Sequence, residues 1–360
     1  MQEVTFTLRT LTPLFLAGAD QTQAELRAPT FRGLMRYWYR ALVGGVAGTD
    51  TKGLEKIMHA EAALFGATDT GSAVAIKVSA ASHEPRRFDE QVSHKIGGKW
   101  QATGKGYLLW SMVRSGRPEK GNVKEARWYF PPGTSFKVTL STRNDNDQKL
   151  KQAVAAFWLL THLGSVGSRA RRCAGSLTAQ LIGEYSTDFA FNQPENAQAL
   201  KQQLEQGIKA ARMLGIQVLK RQSEQEINSA RVDYDLERTF IKEARFDSLT
   251  RGVCRIWILQ EEQPWASPDI AMQKIGEKLQ DYRSHVSMSE RKIFGLPLPP
   301  IIFNKRRASP LLLRIAELRG NKYVGIAVLF KTTGGDIAMR DYAVIEKWIN
   351  EFRGMLEVSL

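Results

Sequence analysis

Two stretches of the chain carry the same succession of features, and this internal repeat limits the folds that the sequence can adopt. The first reads ALFGATDTGSAVAIKV at residues 63–78, and the second reads KIFGLPLPPIIFNKRRASPLLLRI at residues 292–315. In each, a helical pattern ends at Phe-Gly, a turn-rich connection follows, and an apolar strand then carries a basic residue, Lys77 or Arg314. A repeat of this kind predicts two similar structural units in tandem.

The elements around the two stretches also follow one order. In the first half, apolar alternation and helical spacing predict four strands and three helices, at residues 2–11, 30–43, 51–64, 73–81, 134–141, 149–163 and 176–184. With extra elements added, this is the β-α-β-β-α-β order of the ferredoxin-like fold.

The second half repeats most of that order. It is predicted to form three strands and two helices, at residues 252–260, 267–283, 309–318, 323–330 and 341–355. The predicted fold class is therefore α+β, with two tandem ferredoxin-like domains that carry insertions.

Domain boundaries follow from this order. We predict an N-terminal domain at 1–190, a polar helical connecting region at 191–248 and a C-terminal domain at 249–360. Two domains suit a chain of 360 residues. Residues 84–130 have poor periodicity, so we expect a basic insertion there, folded as a hairpin or loop rather than as core.

The charge balance narrows the choice of partner. The formal net charge of +14 favours a polyanion such as RNA, DNA or an anionic membrane, and the alternative is a basic enzyme with a small anionic substrate. No apolar run is long enough to span a bilayer, and the start MQEVTFTLRT lacks the pattern of a signal peptide. Two cysteines, Cys173 and Cys254, imply no disulfide framework, so we expect a cytoplasmic protein without a membrane partner.

The predicted helix at 31–43 is the first candidate for an anion-binding surface. Arg32, Arg36 and Arg40 fall within an arc of about 80° at 100° per residue. The acid nearest to them upstream is Glu25, so three like charges at this spacing repel one another. A phosphate backbone would relieve that repulsion, and bases could stack on the neighbouring tyrosines. The alternative is an ordinary solvated helix face over a core face.

Two further basic segments lie in connections that precede predicted strands. The loop GSVGSRARRCAGS at 164–176 carries Arg169, Arg171 and Arg172 and no acid, and its glycines could turn backbone N–H groups toward an anion. The second half has Lys305, Arg306 and Arg307 in the equivalent place. Basic surface loops without a ligand are the alternative in both cases. We expect the 31–43 stripe and the 169–172 loop to form one phosphate-binding surface.

Catalytic signals are weak by contrast. Of five histidines, His162 lies in an apolar helix and is interpreted as a core or helix-end residue. His94 in the basic insertion could serve in acid–base chemistry on RNA but lacks an identifiable partner. No Cys/His spacing suits zinc and no carboxylate pair suggests a two-metal site, so we expect no cofactor.

Three quoted segments resemble one known family. The stretch TPLFLAGADQTQAELRAPTFRGLMRYWYRAL at 12–42, the loop GSRARRCAGSL at 167–177, and FGLPLP followed by RRASPLLLRI are similar to the signatures of subunit 1 of the Cmr module. That subunit is a RAMP-superfamily protein of the type III-B CRISPR effector complex. Together the resemblance spans residues 1–185 and 290–330, and the first motif is the most specific.

The resemblance implies a fold, a role and a set of residues. It implies two RAMP domains, which are ferredoxin-like and RRM-like, and an RNA-binding subunit without nuclease activity. Such a subunit caps the complex near the 3′ portion of the guide RNA and helps engage target RNA in antiviral defence. Its implied partners are guide RNA, target RNA, the backbone RAMP subunits and the small helical subunit. The implied RNA contacts are Arg27, Arg32, Arg36, Arg40, Arg169, Arg171, Arg172, Arg306 and Arg307, with Lys305 added by adjacency.

Two alternatives to this ribonucleoprotein scaffold stay open at this point. One is a metal-independent endoribonuclease that processes guide RNA precursors by acid–base attack of a 2′-hydroxyl. The other is a protein–protein adaptor whose basic face meets an acidic neighbour. Neither base specificity nor the choice between guide and target RNA follows from the sequence.

Overall fold

The computed structural model describes residues 2–96, 99–116, 123–143, 146–225, 244–295, 307–333 and 337–360. In chain order its elements are β1 (Gln2–Thr10), α1 (Ala28–Ala47), α2 (Thr51–Phe65), β2 (Val74–Val78), β3 (Arg86–Arg87), β4 (Ser93–Ile96), β5 (Lys99–Ala102), α3 (Gly104–Leu109), β6 (Trp128–Tyr129), β7 (Ser135–Thr142), α4 (Asp147–Leu163), β8 (Leu177–Ile182), α5 (Ala197–Gln225), β9 (Cys254–Leu259), α6 (Pro268–His285), α7 (Met288–Arg291), β10 (Leu311–Leu318), β11 (Lys322–Phe330), α8 (Ala343–Ile349) and β12 (Leu356–Val358).

The first half forms a four-stranded sheet in the order β2-β7-β1-β8, with all neighbours antiparallel. Strand β1 shows why the sequence forms this sheet, because Val4, Phe6 and Leu8 alternate with polar residues and are buried, while the residues between them face outward. One face of this sheet is therefore core and the other is polar.

The second half forms a four-stranded sheet in the order β10-β11-β9-β12, again antiparallel throughout. Every residue of β10 is buried, including Arg314 and Glu317, because this strand is covered on both faces. The strands predicted at 309–318 and 323–330 form a hairpin through Gly320 and Asn321, both of which have positive φ, 75° and 54°. Strand β12 was not predicted, since its three residues are too short for alternation to show.

The two repeat stretches occupy equivalent places. Phe65-Gly66 and Phe294-Gly295 each end a helical turn, and each glycine has positive φ. The strands that follow, β2 and β10, each lie at the edge of their sheet, beside the next strand of the same sheet, β7 or β11. The pseudo-repeat thus corresponds to one position in two sheets of the same order.

Helices lie between the two sheets and join them into one core. Buried residues of α1, α4 and α5 belong to the same apolar cluster as the inner faces of both sheets. Trp38 of α1 is one example, with its ring 6.1 Å from that of Phe330 on β11. The boundaries predicted at residues 190 and 248 stay predictions. Within the predicted connecting region the structure shows α5, and residues 226–243 lie outside the described part of the chain.

Helix α1 is longer than predicted at both ends. It begins at Ala28, before the predicted start at residue 30, and Arg27 is an N-cap that makes no side-chain hydrogen bond. It also continues through Gly44 and Gly45, beyond the predicted end at residue 43. A Cβ at Gly45 would collide with the carbonyl oxygen of Leu249, so this glycine serves close packing rather than termination.

The insertion at 84–130 is packed against the second half, contrary to the expected surface hairpin or loop. Phe88, Leu108 and Leu109 are fully buried in an apolar cluster that also contains residues of α6 and of the second sheet. Gly104 of α3 and Gly276 of α6 meet so closely that a Cβ on either one would collide with the backbone of the other helix. Poor periodicity concealed this core because its apolar residues are spread over short elements.

None of the described helices combines the length and the apolar character that crossing a membrane requires.

Cys173 and Cys254 are both buried free thiols.

Substitution of the glycine at the α3–α6 contact tests the docking of the insertion. We expect Gly276→Ala to lower the free energy of unfolding by about 1–3 kcal/mol, because the added methyl group forces the two helices apart. Gly33→Ala on the open face of α1 is the matched control, since nothing lies within 4 Å of its Cβ position. The control should raise stability by about 0.5–1 kcal/mol. Equal unfolding midpoints in denaturant for the two variants would contradict this contact.

Candidate nucleic-acid interface

The arginine stripe on α1 has an acidic partner that sequence reasoning missed. Glu61 of α2 accepts hydrogen bonds from Nε of Arg36 and from Nη1 of Arg40, the latter at 3.1 Å to both carboxylate oxygens. The side chain of Glu61 is only 8% exposed, against 36% for Arg36 and 43% for Arg40. The expectation of three uncompensated like charges is therefore wrong for two of them. Both guanidinium groups still reach solvent on their other edges.

The two tyrosines beside the stripe differ in their accessibility. Tyr39 is buried and its hydroxyl donates to Gln152 at 2.8 Å, so its ring is not available for base stacking. The Tyr37 hydroxyl donates to Asp247 at 2.6 Å, and burial together with that carboxylate raises the pKa of Tyr37 well above its ordinary value. The ring of Tyr37 is half-buried and lines a cleft, so base stacking on it stays a prediction.

The glycine-rich loop at 164–176 is fastened to the protein rather than open to an anion. Amide N–H groups of Val166, Ser168 and Cys173 donate to backbone carbonyls at 2.8–3.0 Å. The left-handed backbone of Arg169 and Cys173, with φ of 61° and 66°, tightens the turn that makes these bonds. The predicted cradle of backbone amides does not form.

Two arginines of this loop brace the fold. Arg169 donates from Nε to the carbonyl oxygen of Leu108 in the insertion at 2.8 Å. Arg172 donates to the carbonyl oxygens of Phe294 and Leu311 at 3.0 and 3.3 Å. Burial, followed by the nearby Arg169, lowers the pKa of Arg172 to about 9. These guanidinium groups hold the insertion and the second half onto the loop.

Arg171 joins the loop to the α1 stripe. Its guanidinium lies 5.9 Å from the ring centroid of Tyr37, faces Asp247 at 3.4 Å and donates to the carbonyl oxygen of Ser309. Arg171 and Arg40 line one cleft of about 440 Å³, here called the α1 cleft. The expected single surface is therefore formed only in part, because Arg40 and the loop line one cleft whereas the other two arginines of the stripe do not line it.

A second cleft adjoins the first. This Trp110 cleft, of about 550 Å³, is lined by Tyr107, Trp110, Gly167, Arg169, Ala170, Arg171, Arg172, Arg283, Phe294, Gly295, Arg307, Ala308 and Ser309. Its described lining holds five arginines and no carboxylate. Arg171, Arg307 and Ser309 also line the α1 cleft, so the two clefts are continuous. We call the pair the arginine groove.

The remaining predicted residues lie in several places. Arg307 lines both clefts and donates to the Tyr342 hydroxyl at 2.9 Å. Arg27 pairs with Glu25 at 3.6 Å and lines neither cleft, and the half-buried Arg32 lines neither as well. Lys305 and Arg306 lie outside the described residues.

Two cations of the groove were missed by the sequence reasoning. Arg245 lines the α1 cleft and Arg283, in the last turn of α6, lines the Trp110 cleft. Neither belongs to a basic run or a glycine-rich loop, so no local signal distinguishes them from other surface cations. Only the packing of the two halves brings them to the same groove.

The interpretation of His162 as a core residue is confirmed. Its ring stacks on Trp158 with centroids 4.4 Å apart, and its Nδ1 hydrogen bonds to the Trp158 carbonyl oxygen at 2.9 Å. Burial and the nearby Arg314 lower the pKa of His162 to about 3. Within the described ranges, no group of three or more His, Cys, Asp or Glu residues is placed to hold a metal ion.

Sequence comparisons relate the chain to known proteins. The family model of the RAMP superfamily matches residues 7–178. CRISPR system Cmr subunit Cmr1-2 of Pyrococcus furiosus is 31% identical over 196 residues, which are 51% of this chain and 98% of that protein. Subunit Cmr1-1 of the same organism is 27% identical over 319 residues, covering 86% of this chain and 81% of that protein.

Solved structures show the same fold. The apo crystal structure of Cmr1 from P. furiosus aligns with a TM-score of 0.65 at 22% identity over 99% of each chain. A chain in the cryo-EM structure of the type III-B Cmr-beta complex bound to cognate target RNA aligns with a TM-score of 0.55 at 13% identity, over 97% of this chain and 100% of that one. The fold and the match over residues 7–178 are those of a RAMP-superfamily protein. The identity of 31% over 98% of Cmr1-2 shows that the chain belongs to the family of CRISPR system Cmr subunit Cmr1.

The depressed pKa of His162 predicts a specific pH dependence. The pKa of His162 in the folded protein, about 3, lies below its ordinary value of 6.5. The contribution of the neutral ring to the free energy of unfolding is therefore fully present above pH 6.5 and is lost as the pH falls toward 3. We expect the stability difference between wild type and His162→Asn to shrink by roughly 2 kcal/mol between about pH 6.5 and 4.5. Denaturant unfolding of both proteins across this pH range measures the difference. A pH-independent difference for His162→Asn would show that the ring is protonated inside the folded protein.

Proposed function

We propose that this chain is a non-catalytic RNA-binding subunit of a type III-B Cmr ribonucleoprotein. In this proposal the arginine groove holds the backbone of a single-stranded segment of guide or target RNA, near the end of the complex that contains the 3′ portion of the guide. The proposal includes neighbouring Cmr subunits as protein partners and a cytoplasmic role in antiviral defence. Support comes from membership of the Cmr1 family and from a Cmr-beta complex with bound target RNA that contains a chain of this fold.

One observation carries the proposal, namely the concentration of cations without acids in the Trp110 cleft. Five arginines line it, and Arg169 and Arg172 are held there by carbonyl oxygens rather than by carboxylates. Arg171 faces Asp247 at 3.4 Å, whereas no ion pair links the other four arginines to a carboxylate of the described residues. Arginines gathered without counter-ions raise the electrostatic potential of a cleft and attract a polyanion. Phosphate oxygens also suit the fork geometry of the guanidinium group.

The outer face of the first sheet is a poorer RNA surface than the groove. RRM domains stack bases on aromatic side chains of the exposed sheet face. Here the corresponding positions of β1 and β7 hold residues such as Thr5, Thr7 and Lys137, and none of the outward positions in the described strands is aromatic. The groove instead combines cations with the exposed ring of Trp110.

The strand order of the two sheets also supports the RAMP assignment. We propose that each sheet with its helices is one ferredoxin-like unit, because each has its strands in the order second-third-first-fourth. Helices α1 and α4 connect the strands of the first unit, and α6 and α8 connect those of the second. This is the arrangement that β-α-β-β-α-β connectivity generates.

The alternative of a guide-processing endoribonuclease gains no support from the groove. Among its described lining residues there is neither a histidine nor a carboxylate except Asp247, whose carboxylate is engaged by Tyr37 and Arg171. The buried, neutral His162 belongs to the core, and acid–base catalysis needs a group near its working pKa within reach of substrate.

Charge removal inside and outside the groove tests the proposal. We expect Arg40→Gln/Arg307→Gln to weaken binding of single-stranded RNA of any sequence. With two phosphates no longer neutralised, the slope of log K against log salt should fall in magnitude by about 1.4. The measurement is fluorescence anisotropy with labelled oligouridine between low and moderate salt.

The matched control is Arg319→Gln/Arg353→Gln. It removes the same charge from two exposed arginines that pair with Glu195 and Glu262 and line neither cleft. Its affinity and salt slope should equal those of wild type. Equal losses for both double variants would reduce the effect to net charge and contradict the groove. Cleavage of the bound RNA that His94→Ala abolishes would instead favour the endoribonuclease.

A further inference from the structure

Trp110 is a large aromatic side chain that is exposed to solvent. It follows α3 in the insertion and is 61% exposed, whereas Phe88 and Tyr129 of the same insertion are buried. Its position is fixed from both sides, because Leu108 and Leu109 just before it and Met112 just after it lie in the core. A rigidly held indole facing a cleft is a surface on which a flat apolar ligand gains free energy by stacking.

Two arginines that line the same cleft as Trp110 each have a buried nitrogen without a hydrogen-bond acceptor among the described residues. Arg283 donates from Nη1 to the Tyr107 hydroxyl at 2.6 Å, and its guanidinium lies 5.6 Å from the ring centroid of Phe294. Its Nε, like Nη1 of Arg307, is buried without a hydrogen-bond acceptor among the described residues. Buried donors without acceptors cost free energy, so these two N–H groups favour a ligand that brings oxygen acceptors.

The size and charge of the cleft specify the ligand further. A volume of about 550 Å³ falls within the range that holds a single small ligand. The described lining supplies cations and aromatic rings but no carboxylate or amide side chain at which the edge of a base could be read. The ligand therefore has one flat ring system and one phosphate, and it is recognised without base identity.

We infer that the Trp110 cleft holds one unpaired nucleotide of the bound RNA, with its base stacked on Trp110 and its phosphate on Arg283 and Arg307. This inference rests on the proposed RNA-binding function and adds a fixed subsite to it. Since a base within a duplex is already stacked on both faces, the subsite selects single-stranded RNA. It accepts any of the four bases, because every base presents a π-face.

Oligouridine that carries a single 2-aminopurine tests the subsite, because the fluorescence of this base falls when it stacks. We expect quenching on binding to wild type and to Trp110→Phe, and loss of quenching with Trp110→Ala. Affinity for the oligonucleotide should fall by roughly 5- to 150-fold in Trp110→Ala, the cost of one stacking contact. Met58→Ala is the matched control, since Met58 is 60% exposed on α2 and lines neither cleft.

A neutral methylphosphonate next to the 2-aminopurine tests the phosphate contact. It should weaken binding to wild type and leave the affinity of Arg283→Gln/Arg307→Gln unchanged, since that double variant already lacks both cations that hold the phosphate. Wild-type affinity and quenching in Trp110→Ala, or equal losses in Met58→Ala, would overturn the subsite while leaving the RNA-binding proposal intact. Failure of wild type to bind any single-stranded RNA would overturn both the subsite and the RNA-binding proposal.

Thermal unfolding of each variant shows whether a loss of binding reflects misfolding. Trp110→Gln provides a second replacement that keeps the site exposed to solvent.

Discussion

A buried guanidinium holds the two sheets of this protein together. Arg314 of β10 donates to the carbonyl oxygen of Thr161, near the end of α4, and to that of Leu177 at 2.7 Å. Burial lowers its pKa to about 9, yet the side chain stays charged at neutral pH. Carbonyl groups at the end of a helix carry partial negative charge, so they stabilise a cation there without a carboxylate. The amide of Cys173 adds a bond to the Leu313 carbonyl at 2.8 Å.

The arginine groove depends on these hydrogen bonds between the two halves of the protein. Fixing the 164–176 loop against β10 brings its arginines to the Ser309 segment of the second half and to the insertion. Like charges are then crowded in the Trp110 cleft, which costs free energy that carbonyl acceptors only partly offset. A phosphate backbone supplies the missing negative charge. In this account, the interactions that join the two halves also create the affinity for RNA.

Much of the fold could be predicted from the sequence, but less of the site. The main strands of both sheets could be predicted from the alternation of apolar and polar residues, as in β1, and from the matching Phe-Gly stretches. Both signals depend only on residues that are close together in the sequence. Glu61 and Arg283 were missed because their roles depend on contacts between distant segments. Burial of the Tyr39 ring was missed for the same reason, since the sequence does not show which rings the fold covers. Of the single phosphate-binding surface that was expected, the structure shows Arg40 and Arg171 lining one cleft, and phosphate binding there stays a prediction.

The central claim is that single-stranded RNA lies in the arginine groove rather than on the open face of the first sheet. Photocrosslinking with 4-thiouridine RNA in the reconstituted Cmr complex, read by peptide mass spectrometry, tests it most directly. The account predicts crosslinks in peptides that contain Trp110, the 164–176 loop and the end of α6. Crosslinks confined to the outward residues of β1 and β7, with none in those three segments, would contradict it.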